Sequence, residues 1–334
     1  MTFDLPTIWA GLLAFAVLAY VILDGFDLGI GILFPFLPES HYRDTAMNTV
    51  APVWDGNETW LILGGGGLFA VFPLAYAVLM PAVYAPIIAM LLGLVFRGVA
   101  FEYRWKTTRG QWVWDWSFIA GSVIAAFSQG VILGALVQGI EVEGRAYAGG
   151  WWDWATPFSF LCGAAVVVGY ALLGATWLVM KTEGWVRDRA YTLARGAGLG
   201  TVVMIGAVSL WTPFLDPVFM ERWFSYPAVL LVSPVPILVA LAALSLWRGL
   251  FNRNDVQPFL SALALFVLGF VGLGISFWPL MIPPSITIHE AAAPESSQWF
   301  LLVGAVVLIP MILAYTAYSY WVFRGKVKDG EGYH

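Results

Sequence analysis

Asp24-Gly25-Phe26-Asp27-Leu28-Gly29-Ile30-Gly31 lies inside a long apolar segment, and a second acidic stretch, Trp54-Asp55-Gly56-Asn57-Glu58-Thr59-Trp60, lies inside the next one. Together the two stretches place four carboxylates where the hydrocarbon of a bilayer would surround them. An ionised carboxylate near a bilayer centre costs about 2.5 to 3.5 kcal/mol on insertion scales. Each of these acids must therefore face a partner helix, a cation or water, which makes them the first candidates for a functional site.

The composition is that of a polytopic membrane protein. The 334 residues are 60% hydrophobic and 11% charged, and they include 18 Trp and 23 Phe, which is far outside the range of a soluble domain. The sequence therefore predicts an all-α membrane fold and argues against catalysis on a water-soluble macromolecule. The N-terminal apolar run lacks a basic region, so no cleavable signal peptide is expected. The single cysteine, Cys162, excludes an intrachain disulfide and a cysteine metal cluster.

Hydropathy predicts nine membrane spans, because a spanning helix needs about 20 predominantly apolar residues. They lie at residues 7–34, 50–72, 74–96, 115–138, 157–180, 197–215, 227–249, 258–280 and 299–323. With the N-terminus outside, 14 basic residues fall on the cytoplasmic side, and only Arg145 and Arg222 fall outside. The cytoplasmic ones are Arg43, Arg97, Arg104, Lys106, Arg109, Lys181, Arg187, Arg189, Arg195, Arg248, Arg253, Arg324, Lys326 and Lys328. Because basic residues concentrate on the cytoplasmic side, we predict an N-out, C-in topology.

This topology gives the acidic stretches a common depth. Asp24 and Asp27 lie in the inner half of span 1, and Asp55 and Glu58 lie roughly 7 to 12 Å from the inner end of span 2 at 1.5 Å per residue. The members of each pair are three residues apart and share one helix face. Small residues, among them Gly29, permit close approach between helices. We therefore predict a polar cluster that opens to the cytoplasm.

Several charged side chains follow at the predicted inner end of span 3. Arg97 stands where its cation could neutralise the acidic cluster or an anionic group of a neighbouring subunit. Its alternative role is that of an interfacial anchor whose head reaches the membrane surface. Glu102 and Arg104 are expected to be solvated at that surface.

The histidines do not suggest a haem site within this chain. His41, His289 and His334 all fall in loops or in the tail, and no predicted span carries a histidine. Membrane haems are usually held by histidines of facing helices, so a bis-histidine haem is not expected here. The chain also lacks a Walker A sequence and a Rossmann glycine fingerprint.

Several motifs taken together closely resemble subunit II of cytochrome bd-type quinol oxidases. They are Asp24-Gly25-Phe26-Asp27-Leu28-Gly29, Ala51-Pro52-Val53-Trp54-Asp55-Gly56-Asn57 with Trp60-Leu61, Phe96-Arg97, Phe101-Glu102-Tyr103-Arg104, Trp278-Pro279 and Tyr315-Thr316-Ala317-Tyr318. The resemblance covers the whole chain. The short loop between spans 6 and 7 resembles the compact, cyanide-insensitive branch of that family.

The resemblance implies a partner, cofactors and an architecture. Subunit II of that family pairs with a haem-bearing subunit I, which carries b-type haems and haem d or a third b-type haem, oxidises quinol and reduces oxygen to water. Subunit II ligates no haem or other metal, and a small single-span third subunit, membrane lipid or quinone are further partners; nucleic acid is not one. The expected location is the bacterial cytoplasmic (inner) membrane. The implied fold has two four-helix bundles at residues 1–140 and 150–282 and a peripheral helix with a cytoplasmic tail at 296–334.

The resemblance also assigns roles to the acidic residues. Asp55 belongs by motif match to a proton path toward subunit I, with Asp27 beside it, and Trp60 lies near an oxygen route. A proton relay needs side chains that exchange protons, so we expect Asp55 as the principal relay and Asp27 as its partner. Asp24 and Glu58 are expected to support them, although some members of the family carry Gln at the position of Glu58. Arg97, with Glu102, is expected to tune the electrostatics.

Two other interpretations fit the acidic stretches. Intramembrane carboxylates and glycine-interrupted helices are also typical of proton-coupled transporters, and a transporter would be active from this chain alone. In a purely structural scaffold, the acids would only fix helix packing. Neutral substitutions would then leave turnover intact.

Overall fold

The structure, a computed structural model, describes residues 4–327, so Lys328 and His334 lie outside the described residues. The helices are α1 (Leu5–Leu33), α2 (Ser40–Asn48), α3 (Trp54–Val71), α4 (Pro73–Ala82), α5 (Tyr84–Arg104), α6 (Gln111–Gln138), α7 (Pro157–Lys181), α8 (Gly184–Trp211), α9 (Pro217–Phe224), α10 (Ala228–Val232), α11 (Pro234–Phe251), α12 (Gln257–Phe277), α13 (Ile288–Ala291) and α14 (Glu295–Val322). Two antiparallel hairpins, β1 (Val142–Glu143) with β2 (Ala146–Tyr147) and β3 (Leu280–Ile282) with β4 (Ile286–Thr287), lie in the connections after α6 and α12.

The helices confirm an all-α membrane fold. Among residues 4–327, eight segments are long and apolar enough to cross a membrane, and α3 with α4 forms a ninth candidate that is bent by 118°. The bend follows from the sequence, because Phe72 precedes Pro73, and the residue before a proline is driven out of helical geometry. Phe72 accordingly has φ −123° and ψ 59°.

Two of the predicted spans begin at the wrong residue. The third predicted span begins at residue 74, but residues 73–82 form the separate helix α4, and the long helix starts at Tyr84 and continues to Arg104. The sixth predicted span begins at residue 197, whereas α8 begins at Gly184 and carries several arginines on its first turns. Both α5, at its end, and α8, at its start, also extend through charged residues that hydropathy excludes from a span.

Helix α1 lies at the centre of the packing. Every residue from Asp24 to Gly31 is buried, because α1 packs against α3, α6 and α7. Small residues allow this contact: a Cβ on Gly29 would lie 2.0 Å from the carbonyl oxygen of Tyr170 and 2.8 Å from the Gly174 nitrogen. A similar crossing joins α5 and α6, where a Cβ on Gly121 would lie 2.5 Å from the Gly93 oxygen. The division into two four-helix bundles, with boundaries at 140 and 150, stays a prediction, as does the N-out orientation.

The ends of α1, α5, α7, α11 and α14 gather at one end of the molecule. We call it the basic end, because it carries Arg43, Arg104, Lys181, Arg253 and Lys326. The start of α8 joins two of these helix ends: Arg189 Nε donates to Phe36 O, just after α1, at 3.3 Å, and Asp188 pairs with Arg253, just after α11.

The chain after α14 is fastened to the basic end by what we term the C-terminal clamp. Lys181 Nζ donates to Phe323 O at 2.5 Å, and the Val327 nitrogen donates to Lys181 O at 2.8 Å. Lys326 Nζ donates to Asp255 Oδ2 at 2.6 Å. Of the 28 residues of α14, only Gln298 and Ala305 are buried. The clamp is therefore a main attachment of an otherwise exposed helix.

The clamp should depend on pH through Asp255, which lies outside the spans. Burial raises the pKa of the Asp255 carboxyl, but hydrogen bonds from Lys326 and Tyr191 outweigh that effect and hold the pKa below its usual value. Because the folded pKa is the lower one, the carboxylate stabilises the clamp above about pH 4 and this contribution is lost as the pH falls further. We expect the Val327 amide to be protected from hydrogen exchange at about pH 5 to 7 and to lose protection below about pH 4. Asp255→Asn should remove the protection at every pH, and a protected amide in that variant would contradict this account.

Candidate functional site

One arginine gathers three carboxylates from two helices. Arg97 Nη1 lies 2.7 Å from Asp24 Oδ1 and 2.7 Å from Glu58 Oε1, and Arg97 Nη2 lies 3.7 Å from Asp27 Oδ2. The side chains of Arg97, Asp24 and Asp27 are at most 1% exposed, and that of Glu58 is 23% exposed. We refer to these four residues as the acidic cluster. The structure thus brings together three of the four predicted acids with the predicted arginine.

Local sequence explains why these side chains meet. Asp24 and Asp27 are three residues apart and project from one face of α1. Arg97 lies about two turns before the end of α5, so it is enclosed by helices and does not reach the membrane surface as an anchor. Phe101, one turn later, lies with its ring centroid 5.8 Å from the Arg97 guanidinium carbon. The close contact at Gly121 lets α6 pack directly against the Arg97 backbone.

Two polar residues complete the site, and neither has a role predicted from the sequence. Asn57 is 1% exposed, and its Nδ2 donates to Asp27 Oδ2 at 2.8 Å and to Leu23 O at 3.3 Å. The hydroxyl of Tyr320 on α14 donates to Asn57 Oδ1 at 3.0 Å. Asn57 stood within a quoted motif, but Tyr320 lies 263 residues away in sequence. No local pattern connects residues at that separation.

The acidic cluster is short of positive charge. Three carboxyl groups share one guanidinium, so full ionisation would leave two negative charges uncompensated in a buried site, which costs several kcal/mol per ion. Within residues 4–327, buried polar atoms at this site lack a hydrogen-bond partner: Asp24 Oδ2, Asp27 Oδ1, Arg97 Nε and Arg97 Nη2. Such atoms are the usual partners of buried water. The arrangement can therefore accept protons and water.

Asp55 occupies a different position from the other acids. It lies in the first turn of α3 and is exposed in this chain. Glu58, one turn further along α3, is partly exposed and touches Arg97. The exposure of the acids thus decreases from Asp55 through Glu58 to Asp24 and Asp27, which are both fully buried. The four carboxyl groups form a series from the surface to the buried end of the site.

The remaining predicted site residues lie outside the acidic cluster. Glu102 is on the surface, where its side chain is 63% exposed and pairs with Lys106 at 3.4 Å. Trp60 is 1% exposed and packs near Ala16 and Tyr20 on α1. The structure therefore places Glu102 among solvated groups, as expected of it, and does not bring it to the Arg97 site.

The expectation that Arg104 is solvated is wrong. Arg104 is fully buried, with Nη1 2.5 Å from Asp44 Oδ1 and Nε 2.6 Å from Asp115 Oδ1. Arg43 Nη1 approaches Asp115 Oδ2 at 2.7 Å. These two arginines and two aspartates balance in charge, unlike the acidic cluster. They join α2 to the ends of α5 and α6, because each oxygen of the Asp115 carboxylate meets a different arginine.

A third polar group extends along α1 away from the basic end. Tyr170 donates to Gln129 Oε1 at 2.6 Å, and Gln129 Nε2 donates to the Tyr20 hydroxyl at 2.8 Å. Tyr20 precedes Asp24 by one helical turn. These residues are not predictable from the sequence, because single tyrosines and glutamines in apolar segments give no distinguishing pattern.

Two histidines, His41 and His289, lie in the described part of the chain. Within residues 4–327, no three His, Cys, Asp or Glu side chains are arranged to hold a metal ion. His41 and His289 have exposed side chains that pair with Glu39 and Asp4, at 3.3 and 3.1 Å. These two histidines lie in α2 and α13, outside the candidate spans. Neither of these two histidines is therefore carried by a candidate span.

Comparisons with known proteins identify relatives along the whole chain. The family model described as cytochrome bd terminal oxidase subunit II matches residues 5–323. Cytochrome bd-I ubiquinol oxidase subunit 2 of Escherichia coli (strain K12) is 30% identical over 357 residues, covering 96% of this chain and 94% of that protein. Cytochrome bd ubiquinol oxidase subunit 2 of Bacillus subtilis (strain 168) is 28% identical over 341 residues, covering 98% of each. A chain in the structure of bd oxidase from Geobacillus thermodenitrificans shares the fold, with a TM-score of 0.73, 18% identity and coverage of 96% and 99%.

Proposed function

Because the chain belongs to the cytochrome bd terminal oxidase subunit II family, we propose that it carries protons from the basic end toward the oxygen-reducing site of its complex. The path runs from Asp55 through Glu58 and Asp24 to Asp27. Arg97 holds the inner carboxylates in place. The resemblance found in the sequence agrees with this family, and the family match removes the transporter alternative as a description of the whole chain.

Family membership establishes the setting. The chain is a subunit of a quinol-oxidising terminal oxidase in the bacterial inner membrane, and its relatives are subunit 2 of such complexes. The complex contains haems, oxidises quinol and includes a subunit I.

We further propose that subunit I ligates all the haems, of b and d type, and that this chain ligates none. The exposed positions of His41 and His289 support this division. A small third subunit and bound lipid or quinone remain proposals that follow from the resemblance. When bound in subunit I, the haems would supply electron transfer and oxygen reduction, while the residues described here would hold and move protons.

The graded exposure of the acids is the observation that carries the proton role. A relay must begin at water and end in a site from which water is otherwise excluded, with each group near the next. Asp55 is exposed, Glu58 bridges to Arg97, and Asp24 and Asp27 are buried. Purely structural acids need no such order, and a charge-balanced group like that around Arg104 would suffice. Trp60, buried beside α1, is proposed to line an oxygen route.

Asp55→Asn tests the path at its entrance. We expect quinol-dependent oxygen uptake by the purified complex to fall about tenfold or more, because an amide cannot exchange protons in a relay step. The visible haem spectrum should be retained, since Asp55 is exposed and its hydrogen bond from the Thr59 hydroxyl goes to the backbone carbonyl, which the substitution keeps. The matched control is Asp188→Asn, an exposed aspartate on α8, which should leave uptake unchanged.

Two outcomes of this experiment would count against the proposal. Full activity of Asp55→Asn would mean that the acids are architecture and that the protons enter elsewhere. Loss of the haem spectrum in Asp55→Asn, with Asp188→Asn intact, would assign the residue to assembly with the partner subunit.

A further inference from the structure

The last turn of α14 is linked to the acidic cluster through Asn57, which bonds both Tyr320 and Asp27. We propose that Tyr320 is a positioning residue: its hydroxyl, held in place by the C-terminal clamp, fixes the Asn57 amide so that the nitrogen faces Asp27. This inference rests on the proposed proton function. It assigns the C-terminal helix a role at the site, although most of that helix is exposed.

The contacts of Asn57 determine which way its amide points. Leu23 O is a backbone carbonyl and can only accept, so the atom facing it at 3.3 Å must be the amide nitrogen. The same nitrogen donates to Asp27 Oδ2 at 2.8 Å. The amide oxygen then faces α14, where the Tyr320 hydroxyl donates to it at 3.0 Å. All three contacts are consistent with one orientation of the amide. Among residues 4–327, the Tyr320 hydroxyl is the donor to Asn57 Oδ1.

The clamp holds Tyr320 in this position. Phe323 O, three residues after Tyr320, accepts from Lys181 Nζ, and Lys326 is anchored on Asp255. The Tyr320 ring also lies edge-on to Trp177, with centroids 6.2 Å apart. These contacts tie the end of α14 to α7 and to the α11–α12 turn. In contrast, Tyr315 and Tyr318 on the same helix are 61% and 63% exposed.

The orientation matters because an amide has a donating end and an accepting end. With its nitrogen toward Asp27, Asn57 offers a hydrogen to either form of that carboxyl group. Without the Tyr320 hydroxyl, Asn57 Oδ1 loses this donor, and the Leu23 O contact at 3.3 Å alone favours the present orientation. The amide oxygen then turns toward Asp27 more readily, and an oxygen there attracts only the protonated acid. Tyr320 therefore influences how readily Asp27 takes up and releases a proton without touching Asp27.

Tyr320→Phe removes the hydroxyl and keeps the ring. In the purified complex we expect quinol-dependent oxygen uptake to slow about three- to tenfold, the range expected for one lost hydrogen bond, with the haem spectrum unchanged. The pH dependence of the rate should also move relative to the parent, which a merely structural change would not cause. Tyr318→Phe, on the exposed face of α14, should behave like the parent in both measurements.

A double-mutant cycle tests the route through Asn57. If Tyr320 acts by orienting that amide, Tyr320→Phe should have no further effect on rate or pH profile in an Asn57→Ala background. Lys326→Ala, which opens the clamp, should change the pH profile in the same direction as Tyr320→Phe but less. Equal effects of Tyr320→Phe with and without Asn57 would overturn the inference.

The result separates this inference from the proposed function. Slow uptake in Asp27→Asn together with a normal rate and pH profile in Tyr320→Phe would overturn the inference and leave the proton path standing. Full activity of both Asp55→Asn and Asp27→Asn would reject the path. In that case infrared spectra of the carboxyl region would still decide the inference: a band that is lost in Asp27→Asn should shift in Tyr320→Phe, and an unshifted band would refute it.

Discussion

Arg97→Met should yield little assembled complex, and the fraction that assembles should have almost no quinol-dependent oxygen uptake. Removing one partner of a buried ionic group leaves the remaining charges uncompensated and costs about 3 to 5 kcal/mol. Here the loss falls on three carboxyl groups, of which Asp24 and Asp27 are at most 1% exposed. The measurement is the haem content of the membrane fraction, followed by oxygen uptake at equal haem.

Two comparison variants make the Arg97 result specific. Lys106→Met removes a cation from the same stretch of chain, but its side chain is 72% exposed, so we expect normal assembly and uptake. Adding Asp24→Asn to Arg97→Met removes one of the stranded charges and should restore part of the assembled complex. A fully assembled and active Arg97→Met complex would show that a cation from another subunit neutralises the site.

The two ionic groups at this end of the molecule differ in a way that separates function from packing. The Arg43, Arg104, Asp44 and Asp115 group has equal numbers of positive and negative side chains. The acidic cluster around Arg97 has three carboxyl groups for one guanidinium. A charge deficit in a buried site is costly unless protons, water or a partner compensate for it. The imbalance therefore supports the proposal that protons are held at the acidic cluster, whereas the balanced group joins helix ends.

Much of this fold could be predicted from the sequence, because long apolar segments specify spanning helices directly. The boundaries failed where helices run through charged residues: α5 continues past Arg97 to Arg104, and α8 begins at Gly184. Hydropathy treats a charge as a sign of water, but Arg104 is fully buried by its pairing with Asp44 and Asp115. A hydropathy profile contains no information about ion pairs between residues that are distant in sequence.

The acidic residues of the site could be predicted from the sequence, but the contacts that they make could not. Spacing alone placed Asp24 with Asp27 and Asp55 with Glu58, and comparable depth suggested that the two pairs meet. Asp55 nevertheless stays on the surface of this chain while the Glu58 side chain contacts Arg97, a difference that depth along the helix does not predict. Tyr320 enters the site only because the chain folds back after α12, and no pattern near residue 320 indicates a partner at Asn57.

Gly29→Ala should prevent assembly almost completely, although it adds one methyl group. The new Cβ would lie 2.0 Å from Tyr170 O and 2.8 Å from the Gly174 nitrogen, where contacts near 3.5 Å are normal. Both obstacles are backbone atoms, so α1 and α7 would have to separate by more than about 1 Å. Overpacking usually costs about 1 to 3 kcal/mol, and a rigid backbone obstacle places this variant at or above the upper limit. The measurement is haem content and thermal stability of the purified complex.

Gly11→Ala on the same helix is the matched control for Gly29→Ala. No atom lies within 4 Å of a Cβ at residue 11, so that variant should gain up to about 1 kcal/mol of helix propensity and remain active. Gly174→Ala, on the other side of the crossing, should fail as Gly29→Ala does, since its Cβ would lie 2.5 Å from the Gly29 carbonyl carbon. Normal assembly of Gly29→Ala would mean that α1 and α7 are not in contact at this crossing. The placement of Asp24 and Asp27, which α1 carries into the acidic cluster, would then need a different explanation.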